Sequence, residues 1–110
     1  MSNFLKDIEE CLEEGEVIES GVIGEMGWGD YNSENVPNYN DIPKGKTLPW
    51  DEMKKWLNYE YCVGYGAPEC NSVYIWTNKR VLFVSQYDGS TSIHGIPRNP
   101  IDCFPEMPGG

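Results

Sequence analysis

A chain of 110 residues with 18 Asp/Glu against 8 Lys/Arg, a formal net charge of −10, is long enough to bury one core and too short for two. Its 39% hydrophobic content excludes a fully disordered protein, and its longest aliphatic–aromatic run, residues 81–84, falls far short of the roughly 20 apolar residues of a membrane span. The charge is uneven: residues 1–71 hold fifteen Asp/Glu against five Lys, and residues 72–110 hold three acids and three bases. An acidic part of that size repels phosphate backbones, so direct nucleic-acid binding is not expected.

The first ten residues lack the basic-then-apolar build of a signal peptide, which predicts a cytoplasmic protein. Cys11, Cys62, Cys70 and Cys103 are then expected to be reduced thiols. Cys62, Cys70, Cys103 and the single histidine, His94, lack the closely spaced ligand pairs of structural zinc sites. No metal and no cofactor is expected.

In chain order, Ser2 or Asn3 caps a helix predicted to run to about Glu14, with Phe4, Leu5, Ile8, Cys11 and Leu12 as its apolar stripe and Gly15 as its stop. Glu9, Glu10, Glu13 and Glu14 fall largely off the stripe, near the end of the helix whose dipole disfavours anions. Residues 16–23 read as a short strand. Residues 24–46, with five of the chain's turn-forming Gly and Pro before Gly45 and four Asn, read as a long loop pinned by Met26, Trp28, Tyr31 and Tyr39. Thr47 is the expected cap of a second helix, with Pro49 in its first turn and Trp50, Met53, Trp56 and Leu57 as its buried stripe. Tyr59, Tyr61, Val63 and Tyr65 alternate as a strand or an extended arm, and residues 67–69 read as a turn.

Residues 73–77, 80–87 and 90–96 are β-rich runs separated by Asn78-Lys79 and Asp88-Gly89, which predicts a three-stranded antiparallel meander within residues 72–97. The expected fold is α+β: a single domain of two helices packed on an antiparallel sheet, with an acidic N-terminal part (1–57), the loop 24–46, the meander and a Pro-rich tail (98–110). Two-residue turns would put Val73, Ile75, Leu82, Val84, Gln86, Thr91 and Ile93 on one face. Tyr74, Trp76, Val81, Phe83, Ser85, Tyr87, Ser92, His94 and Ile96 would share the other. With both faces largely apolar, a cover on each is the default.

No phosphate loop, dinucleotide fingerprint or zinc-protease motif occurs. A lone histidine without a partner motif is more often structural, and Glu19, Asp51 and Glu60 are more often solvated charges than a catalytic pair. A non-enzyme is expected.

At residues 56–61 (W-L-N-Y-E-Y), 64–66 (G-Y-G), 74–77 (Y-I-W-T), 87–90 (Y-D-G-S) and 97–100 (P-R-N-P), the chain resembles small bacteriophage-encoded proteins. The resemblance covers residues 56–100 and brings no activity or site residue with it. It implies a setting in which small acidic proteins inhibit host defence, as anti-CRISPR proteins and DNA mimics do. The expected function is therefore inhibition of a host protein by binding its basic, nucleic-acid-handling surface, with Glu9, Glu10, Glu13, Glu14 and Glu16 as contacts. The alternatives are a nucleotide sponge, with Tyr74, Trp76, Phe83 and Tyr87 stacking a planar ring and Arg80 or Arg98 meeting a phosphate, and a structural or interaction module; the oligomeric state is left open under each reading, a homodimer included.

Overall fold

The computed structural model describes residues 1–26, 33–64, 66, 68–87 and 89–107, with the backbone alone at Tyr87. It is an α+β fold whose main sheet has five antiparallel strands in the order β3-β2-β5-β6-β7. The elements in sequence are β1 (Ser2–Asn3), α1 (Phe4–Glu10), β2 (Ile18–Met26), β3 (Thr47–Pro49), α2 (Trp50–Leu57), β4 (Glu60–Tyr61), β5 (Asn71–Thr77), β6 (Arg80–Tyr87) and β7 (Ser90–Pro97). Among the described residues no helix is long and apolar enough to cross a membrane.

Asn3 caps α1 by accepting from the Lys6 N–H at 2.9 Å. The helix ends at Glu10, four residues short of the expected end. Beyond it the Cys11 N–H is shared between Asp7 O and Ile8 O, and the Glu16 N–H donates to Glu13 O at 3.0 Å. Beyond the helix only Glu16 of residues 13–16 turns inside, while Glu13, Glu14 and Gly15 stay exposed. Phe4 packs its ring 5.6 Å from that of Tyr59 and 5.1 Å from that of Tyr61. Those contacts, with the pairing of β1 and β4, fasten the start of the chain to its middle.

Thr47 does not cap α2. Residues Thr47–Pro49 instead pair with β2, Leu48 opposite Gly21, and Pro49 precedes the helix with no side-chain cap. Proline is tolerated there because β3 is an edge strand. The expected pinning of the long loop holds at two of its residues. Tyr39 is buried, donates its hydroxyl to Glu25 at 2.7 Å and accepts from the Met26 N–H at 3.3 Å. Met26 is buried as well. Trp28 and Tyr31 lie outside the described residues.

The meander has the register that two-residue turns dictate: Tyr74 faces Phe83, Ile75 faces Leu82, Phe83 faces His94 and Tyr87 faces Ser90. Gly89 takes positive φ in the second turn, and Asp88 lies outside the described residues. The first turn closes by another route. Asn38 is the one described non-glycine residue with positive φ, so Asn78 does not supply a left-handed turn. The Thr77 hydroxyl accepts from the N–H groups of Lys79 and Arg80 at 3.0 and 2.8 Å instead.

One core lies on one side of the sheet, joining Phe4 and Ile8 of α1, Met53 and Leu57 of α2, and Ile23, Val73, Ile75 and Leu82 of the strands. Gly21 allows α2 its close approach. A Cβ at that position would sit 2.4 Å from Met53 Sδ and 2.6 Å from Tyr74 O. Both helices therefore cover the same face, and among the described residues no helix lies over the aromatic face, where Tyr74 is 60% and Ile96 54% exposed and Trp76, Phe83 and His94 are half-buried. Cys103, Phe104, Pro105 and Glu106 of the tail run beside Phe83, His94 and Ile96 of that face, with Phe104 and Met107 almost fully exposed.

Candidate functional site

The acidic end of the molecule is built by one internal ion pair. Glu16 is buried, and its carboxylate accepts from Arg80 Nε at 2.9 Å, from a terminal guanidinium nitrogen of Arg80 at 2.6 Å and from the Thr77 hydroxyl at 2.6 Å. The Glu13 N–H completes the shell at 2.9 Å. The Arg80 bond, together with those from Glu13 and Thr77, outweighs burial and holds the carboxyl down at about 2. Arg80 also donates to Cys11 O at 2.9 Å, beyond the last turn of α1. Its side chain passes over Gly95, where a Cβ would lie 3.0 Å from the guanidinium and 2.8 Å from Leu82.

Asn78 adds a second clamp. Its side chain accepts from the Val17 N–H at 2.8 Å and donates to Gly15 O at 3.1 Å, and Lys79 Nζ donates to Glu14 O at 2.8 Å. Residues 11–17 are thereby stitched to the β5–β6 turn. Glu13 and Glu14 are exposed on this fixed segment, and Glu9 and Glu10 are exposed at the end of α1 just before it. Glu10 has only a long, solvent-exposed contact of 4.0 Å with Lys6, which neutralises little. Of the five acids expected as contacts, Glu9, Glu10, Glu13 and Glu14 are exposed and Glu16 is buried. Glu16 is an internal residue that shapes the acidic end and offers it no charge.

The expected stacking residues do share a face. Tyr74 and Trp76 pack edge-on at 6.3 Å, and Phe83 stacks on His94 at 6.0 Å, all on the side away from the helices. Tyr87 falls on that face by register, and its side chain lies outside the described residues. Neither arginine is placed to serve them. Arg80 points to the helix side and is held by Glu16, because its even register position shares the face of Leu82. Arg98 donates to Glu19 and, at 2.8 Å, to Thr77 O at the end of the sheet.

A Ser92 Oγ–His94 Nε2 hydrogen bond of 3.0 Å, unforeseen from the sequence, lies on the same face. Its signal was the i, i+2 spacing of the two residues on one strand face. Among the described residues no carboxylate orients the imidazole. The same residues hold no group of three or more His, Cys, Asp or Glu able to bind a metal. The four thiols are free, Cys62 and Cys103 exposed and Cys70 buried, with burial pushing the Cys70 thiol up to about 12.

Comparison with protein-family models, curated proteins and solved structures gave no match.

Proposed function

We propose that the protein is a non-enzymatic binding protein that occupies a basic, nucleic-acid-handling surface of a partner with its acidic end. The observation that carries this reading is the fixed display of Glu9, Glu10, Glu13 and Glu14 around the Glu16–Arg80 pair. A segment already immobilised before binding loses less conformational entropy on docking, and a concentrated negative charge speeds encounter with a basic channel. In the phage setting that the sequence resemblance implies, the partner is a host defence protein and the complex forms inside the host cell.

The uncovered face of Tyr74, Trp76 and Phe83 supports a second reading, the stacking of a planar ligand. It lacks the phosphate-binding arginine the sponge requires, since Arg80 and Arg98 already face carboxylates. Pull-down from bacterial lysate separates the two when the eluate is assayed for proteins and for small molecules. The favoured reading expects a protein that nucleic acid displaces, with no nucleotide in the eluate. A nucleotide alone overturns it.

A further inference from the structure

We propose that the cleft between α1 and the open edge of β7 takes an extended, basic peptide segment of a partner protein as an added β-strand. The inference rests on the reading above, that the partner is basic, and names a second point of contact. The cleft has a volume of about 380 Å³, with Asp7 and Glu10 of α1 and the following Cys11 on one wall, Thr91 and Ile93 of β7 on the other, and Tyr61 and Val63 between them.

The edge of β7 is unfinished. Tyr87 opposite Ser90 across a two-residue connection makes Ser90, Ser92, His94 and Ile96 the residues bonded to β6. The backbone groups of Thr91, Ile93 and Gly95 therefore point outward. Thr91 demonstrates this, donating its N–H to Val63 O at 3.0 Å, as though the chain had begun a sixth strand and left it. Among the described residues nothing bonds to the outward N–H of Ile93 or Gly95. The strand S-T-S-I-H-G-I-P carries no lysine or inward charge to protect it, and its proline comes only at the end. An edge of this kind binds a chain through its backbone, with specificity supplied by alternate side chains.

Charge selects the occupant. In an added strand every second side chain projects toward α1, where Glu10 is exposed and Asp7 is fixed by the Tyr61 hydroxyl at 2.8 Å. Those positions suit Lys or Arg. The intervening positions lie beside His94 and Ile96 on the outer face and suit apolar residues. The protein's own tail, which carries Asp102 and Glu106, lies beside Gly95 and Ile96 at the far end of the strand, and none of its described residues lines this cleft. A second copy pairing through the same edge would bring two like-charged α1 walls together.

The test uses the full-length, isotopically labelled protein and a blocked peptide of alternating Lys and Val, with a Glu–Val peptide as control. The Lys–Val peptide should bind and slow amide hydrogen exchange at Ile93 and Gly95 by about tenfold. Glu10→Lys, an exposed change that the fold tolerates, should weaken that binding about fivefold. Equal binding of both peptides, or unchanged exchange at the two amides, overturns the assignment. Protection that grows with protein concentration in the absence of peptide assigns the edge to a second copy and also overturns it. The cleft and the acidic end fail separately. Unchanged exchange together with partner capture that responds to reversal of Glu9, Glu13 and Glu14 sinks the cleft alone. Protected amides together with capture indifferent to that reversal sink the acidic-end reading alone.

Discussion

Glu16 and Arg80, 64 positions apart in the chain, meet in a two-point ion pair with Glu16 buried and Arg80 partly covered. The pair joins the segment after α1 to the start of β6. Because Glu16 is lowered from 4.5 to about 2 in the folded protein, its stabilisation is fully present above the unfolded value and is lost as pH falls from about 5 toward 2. That shift corresponds to about 3 kcal/mol. Urea unfolding across this pH range should show the loss in wild type and a flatter profile in Glu16→Gln. The substitution itself should cost about 3 kcal/mol at neutral pH, because it leaves a guanidinium without its counter-charge. A wild-type pH profile matching that of the variant would dissolve the assignment.

The two sheet faces should respond differently to truncation. Leu82 is fully buried beneath the helices, and Leu82→Ala is expected to cost about 2–5 kcal/mol. Tyr74 is mostly exposed on the opposite face, and Tyr74→Ser should cost less than about 1 kcal/mol. Denaturant midpoints of the two variants measure the difference directly. Equal losses would mean that the aromatic face is covered.

Gly21 is where α2 crosses β2 at closest approach. Gly21→Ala places a methyl group against Met53 Sδ and the Tyr74 carbonyl, and only the first of these can move aside. A loss of about 1–3 kcal/mol is expected, partly recovered by shortening Met53 to Ala in the same chain. Additive losses in the double variant would rule out this contact as the cause.

The thiols should separate by exposure. Cys62 and Cys103 are expected to react with a thiol reagent in the native protein, whereas Cys70, buried and with its ionisation suppressed, should react only on unfolding. Denatured protein without reductant should titrate four thiols, the full cysteine complement. A count of two would reveal a disulfide.

The meander was legible because strand periodicity and turn chemistry agree over residues 73–96. The register of Tyr74, Phe83 and His94 followed by counting alone. Both helices were legible from their apolar stripes, and the buried positions of Phe4, Ile8, Met53 and Leu57 match them. What local pattern does not reveal is pairing between distant segments. Thr47–Pro49 looks like a helix entry and is a strand, because β2 offers it an edge. Glu16 looks like one more surface acid, and only the return of β6 supplies the arginine that draws it inside. The open aromatic face was misread for a related reason: composition shows two apolar sides but not how much chain remains to cover them. Once α1, α2 and the loop residues Val36, Tyr39 and Ile42 have packed into the core, the tail is the described segment that runs beside the other face.

The most direct test of the acidic-end proposal is the salt dependence of partner binding, measured for wild type and for the Glu9→Lys/Glu13→Lys/Glu14→Lys variant. These three side chains are exposed and make none of the side-chain bonds that hold the Glu16 clamp, so the fold should survive their reversal. Wild-type affinity should fall steeply with added salt, while the variant should bind weakly with a flattened dependence. Affinity and salt slope left unchanged by the reversal would contradict the proposal and move attention to the aromatic face.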